Sequence, residues 1–264
     1  AGTCSSRDWF YFNNGDSIRF IHQLADSTNF GERTPGFIMK LDPNGKMLWY
    51  TLLYDHTTLH SGVPYTQAYA TGIDIKDHHI ILKGNFKAKL SYARNGVLQQ
   101  LYDFSNSVFN DVNPNNFIIR IKDDGSLVWC AHFENAFTNT YQLTDIAVDK
   151  KGNSYLTGYY ENAIKVFDAA GVEKYTLQGT TGDFKGYILK FDSLGNTSWY
   201  NNMTAPDNFR DAEMLQVVAD DDGNTYATAT TSSRYTITHS SGAASTHDLN
   251  AFSLMKFNAD GLLR

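Results

Sequence analysis

The chain has 264 residues, 42% hydrophobic and 14% aromatic against 19% charged, a composition that supports a packed interior and lacks the polar, highly charged signature of disorder. A net charge of −6 and a pI near 5.7, with no basic stripe, argue against a nucleic-acid partner, whose phosphates need clustered Lys and Arg. Apolar runs such as Phe37-Ile38-Met39 and Met47-Leu48-Trp49-Tyr50 stop far short of the roughly 20 residues of a membrane-spanning helix, so no membrane span is expected.

The first 35 residues read as a partial repeat. They open Ala1-Gly2-Thr3-Cys4, without a Met and a basic segment, so the N-terminus is expected to be processed or cut, which is compatible with export. Asp8-Trp9-Phe10-Tyr11-Phe12 and Ser17-Ile18-Arg19-Phe20 resemble the last strand and a small hairpin of a repeat. A full unit begins at Gly36: Phe37-Ile38-Met39-Lys40-Leu41, the turn Asp42-Pro43-Asn44-Gly45, then a strand returning through Trp49. Alternation of Phe37, Met39 and Leu41 is a strand period, and Ile38 makes the other face apolar too, so the strand is expected to be covered on both sides.

An insertion follows at Tyr54 to Tyr65, because Trp49 lies 24 positions before Ile73 while the later equivalents are 17 and 18. Extra loop length on a repeat is where specificity is added, so Asp55, His56 and His60 are candidates to hold a metal or a sugar hydroxyl. Tyr65 and Tyr69 are candidates to stack on a sugar ring or an apolar partner; the plainer reading is a solvated loop. A second hairpin spans Ile73 to Gly84, with His78-His79 in its short turn, and a smaller one carries Asn95-Gly96 at its tip.

The pattern then recurs. Asn116-Phe117-Ile118-Ile119-Arg120 leads to Gly125 and Trp129, and Gly186-Tyr187-Ile188-Leu189-Lys190 leads to Gly195 and Trp199. The basic residues Lys40, Arg120, Lys190 and Lys256 are spaced by 80, 70 and 66 positions, and Gly45, Gly125, Gly195 and Gly261 keep the same steps. Phe37, Trp49, Phe117, Trp129, Tyr187 and Trp199 are thus the structural anchors of repeats 36–115, 116–185 and 186–250, with a partial repeat at 251–264. Ile146-Ala147-Val148-Asp149 to Gly158 and Val217-Val218-Ala219-Asp220 to Ala229 repeat the second hairpin. Two hairpins give four strands per unit, and units apolar on both faces bury them by packing sheet on sheet around an axis. The expected fold is an all-β propeller of four-stranded antiparallel blades, about four in a single array over 1–264 with an incomplete terminal blade; a β-sandwich is the alternative.

The run aromatic-Ile-x-Lys-x-Asp-x-x-Gly-x-x-x-Trp, followed by Ile146 to Gly158, resembles the SBBP-type β-propeller repeat of secreted and surface proteins, particularly of bacteria. Ser253 stands where the first aromatic belongs, with Phe252 one place off, and the first repeat lacks the Gly-Asn of its second turn. The resemblance implies a structural or binding role outside the cytoplasm, extracellular or at the cell surface, and carries no catalytic set. If the ring closes, Phe252, Leu254 and Lys256 are expected beside Trp9 and Tyr11; otherwise a neighbouring chain supplies the missing strands, or the chain is a piece of a longer array.

Motifs for catalysis are missing: no Gly-x-Ser-x-Gly, His-Glu-x-x-His, Walker-type or Gly-x-Gly-x-x-Gly pattern occurs. Asp145 aligns with Gly72 and Gln216, so no ring of carboxylates is expected around the axis, and the acidic turns are read as hairpin turns rather than calcium loops. Cys4 and Cys130 are expected to be free thiols, a bridge between them being the alternative. Asn196 and Asn202 fit the N-glycosylation pattern, which matters in a eukaryotic secretory route. The expectation is a non-catalytic structural or adhesive module with no cofactor and no metal, binding protein partners or copies of itself through open terminal strands. A carbohydrate-binding propeller is the second reading, and an enzyme with a site in the central channel the third.

Overall fold

The computed structural model describes residues 2–3, 9–11, 17–19, 34–54, 67–86, 89–94, 97–103, 115–135, 141–180, 182–205, 212–231, 234–248 and 252–264, and these are all-β. In chain order the strands are β1 (Gly2–Thr3), β2 (Trp9–Tyr11), β3 (Ser17–Arg19), β4 (Thr34–Leu41), β5 (Met47–Tyr54), β6 (Gln67–Lys76), β7 (His79–Phe86), β8 (Lys89–Arg94) and β9 (Val97–Asp103). The second third holds β10 (Asn115–Ile121), β11 (Leu127–Asn135), β12 (Tyr141–Val148), β13 (Ser154–Tyr160), β14 (Ala163–Phe167) and β15 (Glu173–Gln178). The last holds β16 (Lys185–Phe191), β17 (Thr197–Thr204), β18 (Ala212–Ala219), β19 (Thr225–Thr231), β20 (Tyr235–His239), β21 (Ala244–His247) and β22 (Phe252–Phe257).

These strands pair into four successive antiparallel layers. Layer I is β1-β4-β5-β8-β9, layer II is β6-β7-β10-β11-β14-β15, layer III is β12-β13-β16-β17-β20-β21, and layer IV is β18-β19-β22. A two-residue parallel bridge from Thr34-Pro35 to Gln67-Ala68 ties layers I and II into one hydrogen-bonded network. The expected count of four strands per unit is corrected by layers II and III, which have six. Each small hairpin goes backwards along the stack: β14-β15 leaves the chain after β13 of layer III but pairs with β11 of layer II, and β8-β9 and β20-β21 do likewise. The Trp-bearing strand of each of the first three layers would otherwise present an open edge, and this hairpin covers it.

Strand alternation sorts the side chains into two faces. Ile38, Ile118 and Ile188 face the following layer; Phe117, Ile119 and Ile121, or Tyr187, Leu189 and Phe191, face the preceding one. The result is three apolar interiors in series, between layers I and II (Leu53, Leu82, Phe117), II and III (Phe133, Leu156, Tyr187), and III and IV (Tyr155, Met214, Phe257). Strand β2 pairs with β3, and β22 with β19. The pairing of Trp9-Tyr11 with Phe252-Leu254-Lys256 expected for a closed ring is not formed among the described residues: β2 pairs with β3, and the second edge of β22 is met at its end by the C-terminal segment, through the Phe257–Leu263 bridge and the Arg264 amide on Lys256 O. The edge of β4 that corresponds to the β7 and β13 positions in layers II and III is taken by β1.

Candidate functional sites at the layer interfaces

The acidic turns are built for their own backbones. In Asp42-Pro43-Asn44-Gly45 the Asp42 carboxylate accepts from the amides of Asn44 and Lys46 at 2.9 and 2.8 Å, and Gly45 closes the turn at φ 81°, a value that favours glycine. Asp149, Asp168, Asp192 and Asp220 hold the same two amides of their own turns. One oxygen of each, Oδ1, is therefore committed to turn geometry. Among the described residues no group of three or more His, Cys, Asp or Glu is placed to hold a metal ion.

Each tryptophan anchors one layer to the next in the same way. The indole N–H of Trp49 donates to Asp123 O at 2.9 Å, that of Trp129 to Ser193 O at 3.2 Å, and that of Trp199 to Ala259 O at 3.0 Å. All three acceptors occupy the second position of the following layer's turn. The basic residue directly opposite the tryptophan on the adjacent strand reaches the same oxygen: Lys40 at 3.3 Å, Arg120 in close contact, and Lys190 at 3.0 Å. The turn glycine lies under the indole, so that a Cβ on Gly125, Gly195 or Gly261 would come within 2.7, 2.9 and 2.5 Å of the ring. An indole, a cation and a bare glycine thus make one lock, repeated three times.

Closer to the start of each layer a second set of bonds joins the first strands. Asp74 accepts from Val148 N at 2.7 Å and Asp145 from Val217 N at 3.0 Å, while Lys83 donates to Leu143 O and Thr144 to Met214 O, both at 2.8 Å. Asp74 and Asp145 do equivalent work although the sequence alignment offsets them by two positions. Lys76, at the end of β6 in layer II, reaches past layer III to layer IV: its Nζ lies 2.8 Å from Asp221 Oδ1 and 3.1 Å from Ala219 O, and Lys150 shares Asp221 at 3.4 Å. Layers II, III and IV therefore converge at this end.

One cleft opens between layers I and II, with a volume of about 420 Å³, lined by Gln99, Gln100 and Tyr102 of β9, by Leu127 to Cys130 of β11, and by the Ala169-Ala170-Gly171 tip. Its origin lies in two side chains. In the next interface Tyr175 and Tyr200 pack edge to face at 4.6 Å; the strand registers place Gln99 and Cys130 at those two positions in the first interface. Behind the cleft His132 is stacked on Phe167 at 4.3 Å and meets Tyr102 at a tilt at 4.0 Å, with Nε2 3.4 Å from Glu134. Burial holds the His132 imidazole below its ordinary value against the opposing pull of Glu134, and burial pushes the Cys130 thiol far up. A neutral imidazole and a protonated thiol are packing groups, so the cleft offers amide hydrogen bonds beside aromatic and aliphatic surface, and no activated nucleophile.

Of the candidates from sequence, Asp55, His56, His60 and Tyr65 lie outside the described residues, and Tyr69 is half-buried near the start of β6, opposite Asn85. Phe252 and Leu254 stand on β22 with their side chains in solvent. Asn196 is exposed in its turn with its amide on Asp192, whereas Asn202 lies mid-strand in β17 between β16 and β20. Cys130 is a free, buried thiol, which removes the alternative of a bridge to Cys4. Gln99, His132 and Lys83 were not singled out by sequence; aligning Gln99 on Tyr175 would have shown the first, given the hairpin register.

No family model and no curated protein matches the chain. Among solved structures a streptogramin B lyase is similar at 12% identity over 73% of this chain and 80% of its own, with a TM-score of 0.26, a likeness too loose to bear on fold or activity.

Proposed function

We propose that the layers are blades of a β-propeller of about four blades, of the kind the SBBP-type repeat resembles, and that the chain is a non-catalytic structural and protein-binding module of an extracellular or cell-surface assembly. The observation that carries this reading is the threefold lock: of the residues that recur through the sequence, Trp49, Trp129 and Trp199, Lys40, Arg120 and Lys190, and Gly125, Gly195 and Gly261 are spent on joining one layer to the next. Face-to-face stacking in chain order and the reach of Lys76 across to Asp221 support convergence on an axis.

A second reading is carbohydrate binding in the cleft, favoured by the amides of Gln99 and Gln100 beside Tyr102. A glycan array separates the two. The module reading expects no saturable binding and no difference between the native chain and Gln99→Ala/Gln100→Ala. Selective binding that this double variant abolishes would replace it with the second reading.

A further inference from the structure

The small hairpins end layers I, II and III on β9, β15 and β21, and among the described residues no strand pairs with their outer edges. The first two of these edges differ in composition. The two residues before Gln99 are Val97 and Leu98, whereas the two before Tyr175 are Glu173 and Lys174. Glu173 is paired with Lys165 at 3.0 Å and Lys174 with Asp168 at 3.1 Å, charges of the kind that keep an edge strand from recruiting another chain. Val97 and Leu98 are 71% and 41% exposed, and the one charge on β9, Asp103, stands at its far end on Lys89. An edge strand with apolar side chains in solvent and no charge from Val97 to Tyr102 is a template for strand addition.

Beside that edge lies the cleft, and the second interface shows what its shape takes. There the Tyr175 ring packs against Tyr200; here Gln99 and Cys130 leave about 420 Å³, within the roughly 300–1,000 Å³ range of ligand sites. The wall on β11 is also more apolar than its counterpart: Leu127 and Val128 stand where β17 has Thr197 and Ser198, just before the tryptophan. The side-chain amides of Gln99 and Gln100 line the cleft and make no hydrogen bond among the described residues.

We propose that β9 is the docking edge for a partner protein: an extended segment of the partner adds as a strand to β9 and places an aromatic side chain in the cleft. Main-chain hydrogen bonds then supply affinity, and the ring, against Leu127, Val128 and Tyr102, supplies specificity, with the Gln99 and Gln100 amides beside the partner's peptide groups. The occupant is protein because strand pairing needs a polypeptide backbone, which a glycan lacks. β15 is unsuited to the same role by its charges and by Tyr175, which fills the equivalent space. The inference rests on the module reading and names the partner's chemistry for it.

Hydrogen–deuterium exchange of the full chain, read by peptide mass with and without the blocked peptide acetyl-Thr-Val-Tyr-Val-Thr-amide, tests it. The peptide is expected to slow exchange in β9 saturably, and not in β15, and to bind about tenfold more tightly than the same peptide with Ala for Tyr. Gln99→Tyr, which puts a phenol where Tyr175 has one, is expected to remove that preference and to keep the melting temperature, because it grows into open space. No saturable protection of β9, equal binding of the two peptides, or a preference unchanged in Gln99→Tyr overturns the proposal. So do β9 amides that are all protected in the free chain, or a Gln99→Tyr melting temperature several degrees lower, since either means that this chain already fills the edge or the cleft. The glycan array decides the module reading separately: sugar binding lost in Gln99→Ala/Gln100→Ala defeats that reading, whereas a silent array with a negative peptide result defeats this inference alone.

Discussion

Gly195→Ala probes the lock at the glycine under the Trp129 indole. Two costs add: the backbone at φ 85° disfavours any L side chain by about 1–2 kcal/mol, and the added Cβ would come within 2.5 Å of Ala169 Cβ and 2.9 Å of the Trp129 ring. Overpacking of that kind costs about 1–3 kcal/mol, and the loss of unfolded-chain freedom gives back about 0.4–1 kcal/mol. A net loss of about 2–4 kcal/mol follows from these principles. Gly171→Ala is the control, because its φ is 72° and nothing lies within 4 Å, so it carries the backbone cost alone, about 1 kcal/mol net. Urea unfolding of the three proteins, followed by tryptophan fluorescence, compares them through the shift in midpoint at constant slope. Equal destabilisation by the two substitutions would mean that the indole is not seated on the turn, and the account of the lock would be wrong.

Three further outcomes follow from named groups. His132 titrates below its ordinary value near 6.5 because burial opposes its charge, so the unfolded chain binds more protons there; stability is full above about pH 6.5 and falls as pH drops toward the folded value. His132→Phe should flatten part of that slope in melts between pH 7 and 5, leaving the contribution of His79, which burial and the nearby Arg120 also lower; an unchanged slope would show that His132 is not buried neutral. The Cys130 thiol should react with a disulfide reagent only in denaturant, and prompt labelling of the native Cys4→Ser chain would place it at the surface. A zero-length carbodiimide should join Lys76 to Asp221 within a monomer, a product read by peptide mass; a Lys150–Asp221 product alone would mean that layers II and IV do not meet.

The strands and turns were legible in the sequence because each is a local matter. Phe117-Ile118-Ile119 alternates, Asp192 to Gly195 carries turn chemistry, and the recurrence of Trp199 seventy positions after Trp129 fixed the unit without reference to contacts. Assignment of the small hairpins was not legible. Nothing in Ala163-Ile164-Lys165-Val166 says that its partner is β11 in layer II rather than a strand of layer III; the free edge decides, and that edge exists only once the layers have stacked. The turn of the first long hairpin was seen to be short, but its conformation, with Asp77 and His78 both at positive φ, lacks the Asn-Gly signature that announces such a turn. The cleft was hidden for a related reason: Gln99 is remarkable only beside Tyr175, and that comparison needs the register of a hairpin whose pairing shifts between Leu90 and Ser91.

The distribution of work within a unit argues for where binding can evolve. Lock residues cannot change freely, since the indole and cation of one interface donate to a single carbonyl and the glycine leaves room for the indole, so altering one leaves the others misplaced. The converging end is held by Lys76, Lys150 and Asp221, which tie three layers together. What remains are positions whose counterparts differ from layer to layer: Gln99 against Tyr175, Val218 against Ala147, Leu254 against the isoleucines. Gln99 lies at the cleft, where the aromatic contact that Tyr175 and Tyr200 make in the next interface is left unmade, and a repeat protein acquires partners by leaving such a contact open to a surface outside its own stack.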